Sequence, residues 1–434
     1  MLSVFCVAAT RCQAPPDDAK CCCGKEVEMG HRKADVMIGG GGIAGLSLAA
    51  AVRQALGQDA RVVVCDPTFG AFKGTGKASA IAAGPRRMLE TLGAWQGMGE
   101  RAQPIRDMIV SDSRAADAVR PVYLNFAGEI EPGEPFAHMI MNDELVLSLE
   151  AVCRDLGVEC VAAGVKDFAV ERGRAVVRLE DGGTRDASLV VAADGARSRL
   201  RDLAGIRQIG WSYGQSGIVA TIGHERDHNG RAEEHFLPAG PFAILPLSGR
   251  RSSIVWTERN ADADALVSLD KADFLRELER RFGHHLGALD LLDAPRAWRL
   301  GLYVSRSFIA DRFALIGDAA HLIHPIAGQG VNLGLRDVAA LAECIVETMR
   351  LGLDAGDAEA LERYQQARRF DTVTTAGTME ALNRLFSNDI TPLRLMRDLG
   401  LGIVDRLPGL KRFFMREAAG IMGAAPRLLR GETL

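Results

Sequence analysis

From Ala34 onward the chain alternates short runs of apolar, β-branched residues with longer stretches whose apolar positions recur at helical spacing. Asp35-Val36-Met37-Ile38 reads as a buried strand, Gly39 to Gly45 (GGGGIAG) as a turn, and Leu46 to Val52 as the opening of a helix. Arg61 to Asp66 (RVVVCD) is a second β-branched run that ends on a carboxylate. Strand, glycine turn, helix and strand make a βαβ unit, for which parallel strands are the default. Helical spacing returns over 85–100, 143–156, 331–350 and 357–386. Further strands are expected at Val158–Val161, Val165–Val170, Ala175–Glu180, Ser188–Ala193 and Phe313–Ile316.

Residues 208–300 have a different texture. Ile218–Ile222, Glu234–Leu237, Phe242–Leu247 and Ser252–Thr257 are short β runs punctuated by Gly and Pro, and only 270–285 has helical spacing. The expected fold class is α/β: a Rossmann-like dinucleotide-binding domain in pieces, with an inserted, mainly antiparallel β-sheet domain and C-terminal helices. The pieces are 34–110, 140–207 and 302–370 for the first domain, 111–139 and 208–301 for the substrate domain, and 371–434 for the C-terminal helical region. Residues 1–33 read as a disordered or misassigned extension, because Pro15-Pro16-Asp17-Asp18 is at its centre and Met29 stands just before the first regular pattern.

Composition narrows the function classes. Among 434 residues, 47 % are hydrophobic and 25 % charged, enough for a sizeable core. A net charge of −4 and only 6 % aromatic residues argue against nucleic acid as a partner. The charge-free run Val36–Val52 is 17 residues long and glycine-rich at its start, so it reads as a turn entering a helix and not as a membrane span. Cys65, Cys153, Cys160 and Cys344 sit singly in apolar patterns and read as buried reduced thiols. Cys6, Cys12, Cys21, Cys22, Cys23 and His31 match no paired C-x-x-C framework, so no metal site is expected.

Three motifs carry candidate chemistry. In Gly40-x-Gly42-x-x-Gly45 the first glycine permits the tight turn and the second lets backbone N–H groups approach a pyrophosphate. The third allows the helix to pack closely on the strand. Asp66 follows 21 residues after Gly45, where a carboxylate can bind a ribose hydroxyl; this pattern alone does not separate FAD from NAD. Asp194-Gly195-Ala196-Arg197-Ser198-Arg199-Leu200-Arg201 follows a buried strand, and by itself could be a strand end and helix cap with solvated arginines. Gly317-Asp318-Ala319-Ala320-His321 can aim one carboxylate at a polyol. The turn from His324 through Pro325, Gly328, Gln329 and Gly330 to Val331 and Asn332 then opens a helix whose free N–H groups face an anion. His321 and His324 invite a metal reading, but no carboxylate or Cys pattern accompanies them.

These motifs, in this order and spacing, resemble the FAD-dependent aromatic hydroxylases, the single-component flavoprotein monooxygenases. HPIAGQGVNLGLRD at 324–337, GDAAH at 317–321, KASAIAAGPRRMLETLG at 77–93 and FLPAGPFAILPL at 236–247 resemble the ubiquinone-biosynthesis hydroxylases more narrowly. The resemblance covers roughly 34–415. It implies FAD held by Gly40, Gly42, Gly45 and Asp66 at the ADP half, with Gly317 and Asp318 at the ribityl chain. The flavin ring would then lie beside the loop of Pro325, Gly328, Gln329, Gly330, Val331 and Asn332. It also places Asp194 and Gly195 where FAD and a reduced nicotinamide donor, NAD(P)H, are bound, and Asn142 facing the cofactor. Two positions depart from the family: Asp66 replaces the commoner Glu, and Lys77 stands where an Arg is usual, keeping the charge but losing bidentate geometry.

The implied reaction is transfer of one oxygen atom from O₂, by way of a flavin C4a-hydroperoxide, to the ring of a polyprenylated phenol on the way to ubiquinone. Alternatives are an FAD hydroxylase of another aromatic compound, a flavin-dependent dehydrogenase or reductase, and a non-catalytic FAD-binding scaffold. Phe236, Leu237, Phe242, Ile244 and Leu245 could roof the site, and His138, His235 and Tyr213 are candidates for a general base. A prenylated phenol partitions into the bilayer, each buried CH₂ adding ~0.8 kcal/mol. Residues 391–430 combine apolar positions at helical spacing with an excess of Arg and Lys. They are therefore the expected contact with a membrane surface or biosynthetic complex, on the cytoplasmic side, unless they pack on the protein's own body.

Overall fold

The computed structural model describes residues 33–71, 74–112, 122–127, 129–324, 328–386 and 425–434. Its first sheet is mixed and has eight strands. Glu159–Val161, Val62–Cys65, Ala34–Gly39 and Thr184–Ala192 lie side by side and parallel. The last three residues of Thr184–Ala192 also pair, parallel, with Phe313–Leu315. Arg174–Leu179 and Val165–Glu171 extend this sheet as an antiparallel meander. The central runs VMI and VVVC are buried along their whole length, as a sheet covered on both faces requires. Helix Ile43–Leu56 packs against helices Asn142–Asp155 and Gln329–Arg350 over this sheet.

The second sheet has nine strands and is antiparallel except where Arg231–Leu237 runs parallel to Asp107–Asp112. Its long strand Gln208–His224 pairs with Arg251–Arg259 on one side and Arg296–Ser305 on the other. One face, with Ile218, Phe242, Ile244, Ile254 and Trp256, packs on Phe274, Leu278 and Phe282 of helix Lys271–Phe282. The opposite face, through Ala232, Leu245, Leu247 and Met108, meets Ala80, Ala137 and Met139. Those three residues belong to a small sheet formed by Ala78–Ala82, Ala137–Met141 and Gln103–Pro104.

Several expectations shift. The chain enters the second sheet at Asp107 and not at 111, and Ala137–Met141 pairs with Ala78–Ala82 outside that sheet. Helix Ala358–Phe386 runs unbroken through position 370. Within 208–301 a second helix, Asn260–Val267, accompanies Lys271–Phe282; its sequence NADADALV buries only Ala263, so it lacks the apolar stripe that would announce it. Cys160 is exposed, because its strand Glu159–Val161 forms the sheet edge, whereas Cys65 and Cys153 are buried. Most of the 391–430 segment, residues 391–424, lies outside the described residues, as do 1–32. The described tail is anchored: Leu428 and Leu429 are buried in the main core, and Arg430 bonds Glu432 and the Ala425 carbonyl.

Candidate active site

Parallel pairing sets Cys65 opposite Gly39, Gly39 opposite Ala192, and Ala192 opposite Leu315. Four strands therefore end in one row. Asp66, the Gly40–Gly45 turn, Asp194-Gly195 and Gly317-Asp318 all emerge from the same carboxyl edge, where ligands of open α/β sheets bind.

Each glycine of the first turn answers a different need. At Gly40, φ is +117° and a Cβ would lie 2.3 Å from the Ala193 carbonyl oxygen; at Gly45 a Cβ would lie 2.0 Å from the Gly40 carbonyl oxygen. Both are demanded by the protein itself. Gly42, at the N-terminus of helix Ile43–Leu56, has nothing within 4 Å of a Cβ, so space stays open in front of the helix end. Asp66 Oδ2 accepts the Gly41 N–H at 2.7 Å, and Oδ1 accepts from Thr68 N and Oγ1 at 2.8 and 2.6 Å. The carboxylate is thus aimed over the turn and keeps lone pairs for a hydroxyl ligand.

The Asn142 backbone N–H donates to the Lys77 carbonyl at 2.9 Å, which brings these two residues together at the small sheet. Asn142 Oδ1 is buried and has no partner among the described residues, an orphaned acceptor of the kind a bound ligand would satisfy. The Lys77 ammonium stands 3.5 Å from the centre of the Trp298 ring. Burial lowers its pKa, and the negative charge of Asp318 opposes that shift. Asp318 itself stays exposed, yet the protein packed around it raises its carboxyl above the ordinary value, against the charges of His321 and Lys77.

Behind Asp318 lies a charged cluster that sequence reasoning did not single out. Asp337 is fully buried. Its Oδ2 accepts the Gly317 N–H at 3.0 Å and bonds His321 Nε2 at 2.6 Å, while its Oδ1 accepts from Arg368 Nε at 2.7 Å. Burial would raise the Asp337 carboxyl, but His321 and Arg368 outweigh it and hold the group below its ordinary value. Asp337 thereby fixes the Gly317 turn, where φ is +60°, from underneath. Its only trace in the sequence is its place at the end of the 324–337 motif. His321 Nε2 is engaged in this pair, while its Nδ1 is buried and has no hydrogen-bond partner among the described residues.

The Asp194 segment divides between the cap and the site. Ser198 caps helix Arg199–Leu203, and Asp194 Oδ2 accepts the Leu200 N–H at 3.2 Å, as the capping alternative expected. Arg201 is buried, not solvated: its guanidinium donates to the carbonyls of Ala196 and Ala319, tying this loop to the Gly317–Ala319 turn. Asp194 remains exposed at the shared edge, and Gly195 has φ +84°.

Helix Gln329–Arg350 starts from Gly328 in the left-handed conformation, φ +63°, and a Cβ on Gly330 would meet nothing within 4 Å. The first N–H groups, at Gln329, Gly330 and Val331, lack intrahelical acceptors and present a positive dipole end. Pro325 lies outside the described residues. Asn332 serves the scaffold with its side chain: Nδ2 donates to the Ala80 carbonyl at 2.8 Å and Oδ1 accepts the Ala82 N–H at 2.9 Å. This clamps the helix start to the Ala78–Ala82 strand.

The three candidate bases are otherwise engaged or neutral. His235 bonds Ser111 Oγ at 2.6 Å and Glu233 Oε2 at 3.0 Å. Tyr213 donates its hydroxyl to Glu380 at 2.6 Å, and burial followed by that carboxylate raises its pKa. His138 stands edge-on to Trp95, and burial lowers it to about 4. His324 is buried against Tyr213 and is likewise lowered to about 4. A cavity of about 180 Å³, lined in part by Thr75, Asp143, Val219 and Trp298, opens beside Lys77. A larger cleft of about 550 Å³ has Tyr213, Pro238, Ala239, Arg259 and Arg384 in its walls and includes none of the dinucleotide-motif residues.

Residues 33–375 match the family described as FAD binding domain. The chain is 44 % identical over 410 residues to ubiquinone hydroxylase UbiL of Rhodospirillum rubrum, covering 92 % of this chain and 94 % of that protein. It is 30 % identical to the mitochondrial ubiquinone biosynthesis monooxygenase COQ6 of Drosophila melanogaster, over 89 % of this chain and 90 % of that one. Among solved structures it is similar to p-nitrophenol 4-monooxygenase PnpA of Pseudomonas putida, with a TM-score of 0.74 and 18 % identity. That match covers 90 % of this chain and 99 % of the other, and it speaks for the fold alone.

Proposed function

We infer the activity from one premise: the chain belongs to the FAD binding domain family, within which it is similar to ubiquinone hydroxylases along nearly its whole length. It is an FAD-dependent monooxygenase that hydroxylates an aromatic ring in ubiquinone biosynthesis. The observation that carries this reading is the single row formed by Cys65, Gly39, Ala192 and Leu315, which gathers all the dinucleotide motifs at one edge.

The residues fit FAD. Gly42 leaves room for the pyrophosphate at a helix N-terminus, and Asp66 has spare acceptors for a ribose. Asp318, on the turn that Asp337 fixes through the Gly317 N–H, would hold the ribityl chain. Asn142 and the N–H groups from Gln329 to Val331 would face the ring system, with Lys77 beside them. When bound and reduced, FAD supplies the activation of O₂. The protein's own task is electrostatic and steric. The helix end at Gly328 would stabilise negative charge, and the sheet face that carries Leu245 and meets Ala80 and Met139 would exclude water from the reacting ring, whereas Leu237, Phe242 and Ile244 of the expected roof face helix Lys271–Phe282.

The substrate in this reading is a polyprenylated phenol, O₂ is the co-substrate and NAD(P)H the electron donor. No described helix is long and apolar enough to cross a membrane. So insoluble a substrate therefore has to be collected at a bilayer surface or from a partner protein. Residues 391–424 of that segment keep the role as a proposal, resting on their charge and apolar spacing, while Leu428 and Leu429 pack in the protein's own core. Labelling with ¹⁸O₂ tests the reaction class. One labelled atom is expected in the hydroxylated ring, and oxygen drawn from labelled water would move the protein to the dehydrogenases.

A further inference from the structure

Arg231–Leu237 sets two consecutive glutamates on opposite faces of the second sheet. Glu233 points to the helix-covered face, where it bonds His235 at 3.0 Å and pairs with His285 at 2.9 Å. Glu234 points the other way. It is 3 % exposed, and its carboxyl has no hydrogen bond or ion pair with any described residue.

Strand register defines its surroundings. The cross-strand row reads Val110, Glu234, Ala243, Val255, Val219, one carboxylate among aliphatic side chains. Ala232, two residues back on the same face, packs with Leu247 and Met108 on Ala80 and Met139. At the other end of the row Val219 lines the cavity beside Lys77, together with Trp298. Glu234 therefore shares the sheet face whose far end, three strands along at Val219, lines the cavity beside Lys77.

Burying an unpaired carboxylate is costly, and a ligand that brings a hydrogen-bond donor relieves that cost. We propose that Glu234 is the catalytic residue that binds the ring hydroxyl of the phenolic substrate and accepts its proton. The phenol O–H bond breaks, a carboxyl O–H bond forms, and the electron pair left on the phenol oxygen enriches the ring for attack by electrophilic oxygen. This rests on the phenol reading above. Burial pushes the Glu234 carboxyl up to about 7, which places a base near neutrality. On its own strand Glu233 and His235 face away. The strands opposite present Ala80 and Met139, with His138 turned to Trp95, and the charged groups at the far end of the face are Arg296, Lys77, Asp293 and Asp143.

The test uses the full-length, oxidised, FAD-loaded protein and two probes, a short-tailed 2-prenylphenol and its methyl ether, titrated at about pH 6 and pH 8 by the flavin absorbance change. A phenol itself ionises near ~10, outside this window. Phenol binding is expected to tighten about tenfold between the two pH values, because a carboxylate accepts the hydroxyl more strongly than a neutral acid does. The ether, lacking the donor, gains nothing. Glu234→Gln abolishes the phenol's pH dependence and Glu233→Gln keeps it. The wild-type comparison of phenol with ether decides the matter even if a variant fails to load FAD. Identical pH curves for the two probes, or a pH dependence that survives in Glu234→Gln, overturn the proposal. Failure of both probes to bind wild-type protein overturns the phenol reading, and the proposal with it.

Discussion

At the carboxyl edge of the parallel sheet the ligand-facing surface is mostly backbone, glycine turns and helix N-termini, with the carboxylates of Asp66, Asp194 and Asp318 among them and the charged groups that hold them buried behind. On the antiparallel sheet it is side chain, and what matters is the face on which a residue lands. Glu233 and Glu234 make the contrast inside one strand. Burial acts on both, but His235 and His285 pull Glu233 down to about 2, whereas Glu234 rises to about 7 for want of a partner. The same residue type is a structural ion pair on one face and a reactive acid on the other, so partners and not burial decide the role.

The largest effect tests whether the backbone edge depends on its hidden charges. Asp337→Ala leaves His321 and Arg368 buried without their shared carboxylate. It should destabilise the protein by about 3–5 kcal/mol and abolish FAD retention. Urea unfolding with and without added FAD checks this, and a variant with wild-type stability and bound flavin would make the cluster incidental.

The second test sharpens the contrast between neighbouring glutamates. Because the Glu233 carboxyl lies below its ordinary value, its stabilisation is present above about 4.5 and is lost as pH falls toward about 2. The loss should be on the order of 2–3 kcal/mol. Glu234 has the opposite sign: its raised value favours the folded state below about 4.5, and that contribution fades as pH rises through about 7. Stability measured from about pH 3 to pH 8 should therefore lose its acid limb partly in Glu233→Gln and its neutral decline partly in Glu234→Gln. Superimposable curves would erase the distinction.

Third, Asp318→Ala removes one exposed carboxylate from the edge and should weaken FAD binding by about 1.5–3 kcal/mol with little change in apoprotein stability. Fluorescence titration of released flavin reads the affinity. Smallest in stability, and most specific, is a pair of glycines. Gly45→Ala forces a Cβ against the Gly40 carbonyl and should cost the apoprotein about 1–3 kcal/mol. Gly42→Ala meets only open space, so it should leave the apoprotein melting temperature unchanged while lowering FAD affinity. If both variants behave alike, the open space before the helix is not a ligand site.

Much of this was legible in the chain. The spacing expected over 357–386 forms Ala358–Phe386, and 143–156 forms Asn142–Asp155, because a 3.6-residue repeat needs only neighbours in sequence. The strand Arg296–Ser305 went unannounced, since RAWRLGLYVS has no clean alternation and owes its conformation to pairing with Gln208–His224. Asp337 looked like the end of a motif, and Arg201 like a solvated arginine. Burial and partners from distant segments gave both their roles.

The sequence by itself determined the local devices: which glycines turn, where helices start, and which carboxylates follow strands. Those depend on sterics and hydrogen bonds within a few residues. Only the tertiary structure decided that Asp66, Gly42, Asp194 and Asp318 share one edge, and that Glu234 lies on the sheet face that reaches the cavity beside Lys77 while Glu233 does not. Strand order and register bring residues more than a hundred positions apart into contact and exclude water from some of them, and a side chain's proton affinity and ligand are set by those neighbours.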